Sequence, residues 1–207
     1  MPIEILTDAQ KLVLARLSRV LKETDFYLAG GTALALHLGH RMSQDFDWFI
    51  PRMGETEKLL TLLSSHGIEF AVMSIDIETC YVMIENIQVS FLGYDYPLLE
   101  PPILFLEYGV PLASLDDISA MKLAAIASRG ARKDFVDLYF LFQTYRPLEI
   151  CLNLYQKKFE SRDIGHVIRS LVYFENAELE PEVMMTKPLS WDKLKKDMEQ
   201  WVKGLKL

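Results

Sequence analysis

A glycine pair followed closely by two alternating aspartates restricts how this chain can fold more than any other feature. Gly30 and Gly31 precede an Ala/Leu-rich run over residues 32–38, which predicts a short helix entered through a glycine turn. Residues 45–50 alternate acidic with apolar side chains, which predicts a strand with one face toward a site. The order therefore predicts a unit of glycine turn, helix and strand.

This unit has the chemistry of a phosphate and metal site. Gly30 and Gly31 let the backbone approach a phosphate, and N–H groups at a helix start attract anionic oxygens. Thr32 adds a hydroxyl donor. Asp45 and Asp47 are two residues apart, so on a strand their carboxylates share one face and can hold the same Mg²⁺ ions. A glycine pair alone is usually only a turn, and an isolated Asp-x-Asp is usually a solvated strand end. Together, in this order and at this separation, the glycine pair and the Asp-x-Asp indicate a phosphate and metal site much more specifically.

The run GGTALALHLGHRMSQDFDWF resembles the signature of the AbiEii-type (abortive infection) nucleotidyltransferases, a branch of the polymerase-β-like superfamily. The residues that match this pattern are Gly30, Gly31, Thr32, His40, Arg41, Ser43, Asp45 and Asp47. The resemblance implies a nucleoside triphosphate bound at the turn and two Mg²⁺ ions held by Asp45 and Asp47. For Arg41 and Ser43 two roles stay open, direct nucleotide contact or orientation of the loop by hydrogen bonds.

A second group of charged residues lies on two predicted helices, over residues 117–128 and 131–145. Lys122 is on the first helix, and Asp134 and Asp137 share a face of the second. This resembles the family's later motif, which implies that Lys122 contacts the phosphates and Asp134 completes the polar network. The alternative, at least as well supported for Asp137, is a salt-bridged helix pair that braces the structure.

One position departs from the superfamily pattern. Catalytic members carry a third carboxylate on a later strand, and the matching strand here, residues 87–92, has Ser90. A serine hydroxyl cannot act as a base near neutral pH. The missing acid is either supplied from elsewhere, with Asp134 the leading candidate, or absent.

Two functions therefore remain. The first is a Mg²⁺-dependent nucleotidyltransferase that moves a nucleoside monophosphate from a nucleoside triphosphate to a hydroxyl of a tRNA end or a protein. By resemblance it would be the toxin of a toxin–antitoxin or phage-defence pair, with a cognate antitoxin as partner. The second is an inactive nucleotide-binding or interaction protein that retains the fold.

The pattern of elements predicts an α+β fold, a polymerase-β-like core with a small mixed sheet flanked by helices. Residues 1–112 would form this core, and residues 113–207 a helical region packed on it. Two strands joined by a turn at Glu85-Asn86 predict a hairpin. Asp116-Asp117 is expected to cap the first C-terminal helix, and residues 175–188 to form an exposed acidic loop.

Composition excludes several classes of protein. The net charge of −7 argues against a broad cationic surface that coats nucleic acid. Cys80 and Cys151 lie far apart in sequence, so a disulfide framework or structural zinc site is not expected. We find neither a secretory leader nor a long apolar run, so we expect no membrane association and a cytoplasmic location.

Overall fold

The structure is a computed structural model that describes residues 5–206. The helices are α1 Asp8–Leu21, α2 Gly30–Leu38, α3 Thr56–Ser65, α4 Leu115–Ser128, α5 Arg132–Thr144, α6 Leu148–Phe159, α7 Gly165–Ser170, α8 Glu175–Glu178 and α9 Trp191–Lys203. The strands are β1 Tyr27–Ala29, β2 Phe46–Ile50, β3 Ala71–Asp76, β4 Thr79–Ile84, β5 Ile87–Gly93, β6 Ile103–Phe105 and β7 Val110–Leu112. The predicted α+β class is confirmed.

The strands form one mixed sheet in the order β3-β4-β5-β2-β1-β7-β6. The pairs β2–β5 and β1–β7 are parallel, and the remaining neighbours are antiparallel. After residue 102 the chain forms the hairpin β6–β7, whose second strand joins the sheet beside β1. The chain thereby brings β1, β2 and β5 together at the centre of the sheet.

The alternation of side chains gives the central strands one buried and one open face. Phe46 and Trp48 of β2 and Phe91 of β5 are fully buried and belong to the hydrophobic core. Asp45 and Asp47 point the opposite way and are only partly buried. The pattern read from residues 45–50 is therefore confirmed, and it directs both carboxylates out of the core.

Turn and cap residues behave largely as their chemistry predicts. Gly39 ends α2 in the left-handed conformation, with φ of 60°. Glu85 and Asn86 have φ of 50° and 64°, which closes the β4–β5 hairpin as predicted. Thr7 caps α1 by accepting a hydrogen bond from the Gln10 N–H.

The expected cap at Asp116-Asp117 is wrong. The N-cap of α4 is Ser114, whose hydroxyl oxygen accepts a hydrogen bond from the Asp117 N–H at 3.0 Å. Asp117 is fully buried inside the first turn and accepts a hydrogen bond from Lys158 Nζ of α6 at 2.7 Å. An acidic residue in the first turn of a helix also interacts favourably with the helix dipole. The acidic pair therefore marks the first turn of α4, and the N-cap lies two residues before it.

The helical half lies against the sheet half through α2, which packs on both α4 and α5. The buried Lys158–Asp117 pair joins α6 to α4, and Lys158 also donates to the Pro97 carbonyl at 2.9 Å. The division of the chain at residue 112 stays a prediction. Among residues 5–206 no helix combines the length and apolarity that a membrane crossing needs.

Candidate functional site

A cavity of about 680 Å³ lies over the open face of β2, β5 and β4, bounded by α2, α4 and α5. The predicted residues that line it are Gly30, Gly31, Thr32, Arg41, Ser43, Asp45, Asp47 and Lys122. Asp134, by contrast, does not line it. The tertiary structure thus gathers two motifs that are far apart in sequence around one cavity.

The two glycines at the start of α2 are required by neighbouring side chains. Gly30 has φ of +67°, and a Cβ atom there would lie 2.6 Å from Asp47 Oδ2. A Cβ atom on Gly31 would overlap the guanidinium of Arg41. From the sequence, both glycines are expected only to let the backbone approach a phosphate. The structure adds that they make room for Asp47 and Arg41.

The hydroxyl groups of the motif are bonded to each other and to the backbone. Thr32 Oγ1 lies 2.6 Å from Ser43 Oγ and donates to the Asp45 carbonyl. Gln10 of α1 donates through Nε2 to the carbonyls of Ser43 and Gln44, at 2.7 and 2.9 Å. These bonds fix the loop that leads into β2, and they support the orienting role for Ser43. Gln10 was missed because its pattern indicates only a helix cap.

Asp45 and Asp47 are the two carboxylates that face the cavity from β2. Within residues 5–206 neither carboxylate accepts a hydrogen bond or pairs with a cation. Burial, together with the negative charge of Asp47, raises the pKa of Asp45 although Lys133 and Arg41 oppose this. Two adjacent, unpartnered carboxylates fit a Mg²⁺ ion, which commonly takes one or two carboxylates plus substrate phosphate oxygens.

Arg41 is bound to the helical half through Asp137, which is fully buried. Arg41 donates to the two Asp137 oxygens at 2.6 and 2.9 Å. Lys122 Nζ lies 2.5 Å from Asp137 Oδ2, and His40 Nε2 lies 2.7 Å from Oδ1. The cations Lys122 and Arg41 hold the pKa of Asp137 well below its usual range despite burial. This geometry favours the orienting role for Arg41 and the bracing role for Asp137.

The geometry does not favour Asp134 as the supplier of the missing third carboxylate. Asp134 is fully buried, and its oxygens accept from Lys122 at 3.0 Å and from Arg129 at 2.7 and 2.9 Å. Burial raises its pKa, but the charges of Lys122 and Arg129 outweigh this and lower it. Across residues 5–206, no three His, Cys, Asp or Glu side chains come together as a metal site. Asp134 instead helps to hold Lys122 at the cavity wall.

The cationic wall of the cavity comes from α4 and α5. Lys122 is buried, Arg129 has a side chain 55% exposed, and Lys133 is exposed. All three line the cavity. No ion pair to Lys133 occurs in the part of the chain that the structure describes. Arg129 and Lys133 are not among the site residues predicted from the sequence.

Ser90 occupies the position where the third acid was expected. In the parallel pair β2–β5, Ser90 lies directly opposite Asp47. It is 2% exposed and lines the cavity. The alignment of residues 87–92 with the acid-bearing strand of the superfamily therefore agrees with the register, and a hydroxyl lies beside the aspartate pair.

The C-terminal segment completes the cavity wall through Glu182, Val183 and Met184. The Met42 N–H donates to the Met184 carbonyl at 2.9 Å, and the Thr186 N–H donates to the His40 carbonyl at 3.0 Å. The expectation of an exposed acidic loop over residues 175–188 is therefore only partly right. No local pattern indicates a backbone pairing between segments so distant in sequence.

The sequence and the fold of this chain are similar to those of known proteins. A family described as nucleotidyl transferase AbiEii toxin, type IV TA system, matches residues 12–79 and 73–205. An uncharacterised protein of Aquifex aeolicus is 40% identical over 162 residues, which are 75% of this chain and 77% of that protein.

Two solved structures have the same fold. A protein of H. pylori has a TM-score of 0.61 at 18% identity, with 96% of this chain and 95% of that chain covered. The nucleotidyltransferase toxin MenT4 of Mycobacterium tuberculosis has a TM-score of 0.60 at 17% identity, with 97% and 87% covered. The fold is that of the nucleotidyltransferases.

Proposed function

The chain belongs to the AbiEii family of nucleotidyltransferase toxins, and from this we propose that it transfers a nucleoside monophosphate from a Mg²⁺-bound nucleoside triphosphate to an acceptor hydroxyl. The observation that carries the proposal is the pair of unpartnered carboxylates, Asp45 and Asp47, between a glycine turn and a cationic wall. The acceptor would be a tRNA end or a protein.

The chain's own residues would bind and orient the triphosphate. The N-cap of α2, Ala29, provides no side-chain hydrogen bond, so the first N–H groups of the helix have no capping side chain where Gly30 and Gly31 line the cavity, and they would bind phosphate oxygens. Lys122, Arg129 and Lys133, which line the same cavity, would neutralise phosphate oxygens. Because Asp134 and Asp137 hold Lys122 in place, its charge is positioned before substrate binds.

Asp45 and Asp47 would hold the Mg²⁺ ions, two being the expected number. Bound there, Mg²⁺ supplies charge neutralisation at the phosphates and activation of the attacking oxygen. In the reaction the acceptor oxygen forms a bond to the α-phosphorus, the bond from that phosphorus to pyrophosphate breaks, pyrophosphate leaves, and the proton of the acceptor hydroxyl passes to solvent water. Ser90 cannot take that proton as a base.

Substitution of the aspartate pair tests the proposal. We expect Asp45→Asn and Asp47→Asn each to lower transfer from an α-labelled triphosphate by roughly two orders of magnitude or more, since metal stabilisation of the transition state is worth several kcal/mol. The matched control is Asp95→Asn, because Asp95 is an exposed carboxylate that does not line the cavity. Full activity in folded Asp45→Asn and Asp47→Asn proteins would overturn the proposal.

The second candidate function is nucleotide binding without turnover, and Ser90 is the observation that favours it. Ser90→Asp separates the two functions, because it places a third carboxylate opposite Asp47. We expect Mg²⁺ affinity to rise about tenfold, since affinity follows the charge count of the ligands. The Ser90→Ala protein serves as control.

Transfer activity of the unchanged protein then decides between the candidates. Measurable transfer to tRNA or protein supports the enzyme. Transfer that appears only in Ser90→Asp supports the binding protein.

The family further supports a toxin role with a cognate antitoxin, and we propose that both act in the cytoplasm. We expect expression of the unchanged chain to arrest growth, and co-expression of the antitoxin to relieve the arrest. Arrest by the Asp45→Asn protein at the same level would separate toxicity from nucleotidyl transfer.

A further inference from the structure

The register of the central sheet places four residues in one row across the cavity floor. Ala29 of β1 lies opposite Asp47 of β2, Asp47 opposite Ser90 of β5, and Ser90 opposite Tyr81 of β4. The glycine turn follows Ala29 directly. Asp47 therefore lies between the phosphate-binding turn on one side and the β5–β4 surface on the other.

The two sides of this row differ in their hydrogen bonding. On the turn side, Thr32, Arg41 and Lys122 all bond to other parts of the chain. On the β5–β4 side, the side chains of Tyr81, Gln88 and Ser90 line the cavity. Their polar atoms accept and donate no hydrogen bond among residues 5–206. The unpartnered polar groups on this side are available to a ligand.

The two sides also differ in charge. The cations Lys122, Arg129 and Lys133 come from α4 and α5, whereas the cavity residues of β4 and β5 are uncharged. The triphosphate consequently belongs to the turn side. In phosphoryl transfer the attacking and leaving oxygens lie roughly in line, so the acceptor approaches from the side opposite pyrophosphate. That side is the surface of Ser90, Tyr81 and Gln88.

The side chains on this surface select a type of acceptor. Tyr81 is partly exposed and lines the cavity, and its Cα lies about 10 Å from that of Asp47, two strand spacings away. Gln88 lies on the same face of β5 as Ser90 and offers an amide donor and acceptor. An aromatic face with an amide beside it suits a nucleobase, which stacks through its ring and hydrogen-bonds through its edge.

We propose that Tyr81 and Gln88 form the acceptor subsite and that it receives the terminal nucleobase of a single-stranded RNA whose end hydroxyl is the acceptor. This inference rests on the proposed function. It confines RNA recognition to the last nucleotide, in keeping with a net charge of −7, which argues against a broad cationic surface that binds nucleic acid.

Binding measurements test the subsite without requiring turnover. The probe is a short fluorescent single-stranded RNA with a free 3′ hydroxyl, titrated into protein saturated with Mg²⁺ and a non-hydrolysable nucleoside triphosphate. We expect Tyr81→Leu to weaken RNA binding about tenfold through lost stacking, and Tyr81→Phe to retain it. Affinity for the triphosphate in the absence of RNA should change less than about twofold in both proteins.

A second probe, the same RNA without its terminal base, assigns the contact. Removal of the base should weaken binding to the unchanged protein about tenfold and have little effect on Tyr81→Leu, as expected of interacting groups. Equal losses in both proteins would overturn the assignment. Gln88→Ala should reduce the difference in affinity among RNAs that end in different bases.

Matched controls are Tyr173→Leu and Gln143→Ala, since both residues are exposed and outside the cavity. A loss of triphosphate affinity in Tyr81→Leu would assign the surface to the donor nucleotide and overturn the proposal. So would the failure of the unchanged protein to bind the RNA, or equal transfer to a protein acceptor by Tyr81→Leu and the unchanged chain. RNA binding without transfer would instead refute only the proposed enzymatic function.

Discussion

The individual side chains of the motif act mainly on one another. The guanidinium of Arg41 donates hydrogen bonds to Asp137. The hydroxyls of Thr32 and Ser43 are hydrogen-bonded to each other, and Thr32 also donates to the Asp45 carbonyl. Asp45 and Asp47 alone of this group keep unpartnered side chains within residues 5–206. The motif thus divides into residues that build the site and two that remain available to a metal.

His40 leads to a prediction about pH. Burial and the positive charges of Arg41 and Lys122 lower its pKa although Asp137 opposes this. The unfolded chain, with a histidine pKa of about 6.5, then binds more protons than the folded chain below that pH. The free energy of unfolding should therefore fall as pH decreases from about 7 to 5.

Urea unfolding across this range checks the prediction. The slope of the unfolding free energy against pH should be smaller in His40→Gln, by up to about 1.4 kcal/mol per pH unit. His66→Gln is the control, because His66 is exposed at the end of α3. An unchanged slope in His40→Gln would show that His40 does not titrate differently in the folded chain. The lowered pKa values of Asp134 and Asp137 act separately, below about pH 4.

Among the elements, α2 and β2 depend on each other at the site. The first turn of α2 must pass close to the side chain of Asp47, and only a residue without Cβ allows this at Gly30. The same residue needs a positive φ, which glycine adopts without strain. The need for a positive φ and the need for space beside Asp47 can be separated experimentally, because Gly54 has a positive φ but no close neighbour.

We expect Gly30→Ala to be more damaging than Gly54→Ala. Both glycines have φ of +67°, but a Cβ atom at Gly54 has no neighbour within 4 Å, whereas at Gly30 it meets Asp47 Oδ2. Gly54→Ala should lower the free energy of unfolding by about 1 kcal/mol, the cost of the left-handed conformation. Gly30→Ala should cost more and also weaken Mg²⁺–triphosphate binding, measured by calorimetry. Equal costs and equal affinities would contradict the Asp47 contact.

On the scale of the whole molecule, the C-terminal segment connects back to the loop before β2. Thr186 donates through its N–H to the His40 carbonyl and through Oγ1 to the Gly39 carbonyl at 2.6 Å. Met42 pairs with Met184 in the opposite direction. This pairing makes the far end of the chain part of the cavity wall.

Thr186→Pro should therefore loosen the site from a distance. It removes both the N–H donor and the hydroxyl, so we expect a loss of about 2 kcal/mol in unfolding free energy and faster hydrogen exchange at the Met42 amide. Thr186→Val keeps the N–H and should lose about half as much. Unchanged exchange at Met42 in Thr186→Pro would show that the loop does not need the segment.

Local chemistry determined the α+β class, the glycine entry to α2, the β4–β5 hairpin and the cavity-facing direction of Asp45 and Asp47. These features depend on residues close in sequence, where periodicity, φ preferences and turn chemistry operate. The resemblance to the AbiEii pattern also depends on short segments. The fold class, the glycine turn, the hairpin and the direction of the two aspartates could therefore be predicted from the sequence.

Tertiary structure alone decided which charges meet. Asp134 was the leading substitute for the acid absent at Ser90, yet Lys122 and Arg129 occupy its oxygens. The contributions of Gln10 and Thr186 depend on contacts between distant segments, as does the row that joins Tyr81 to Asp47. Sequence spacing reports which face of an element a side chain takes, but its partner is set by how the elements pack.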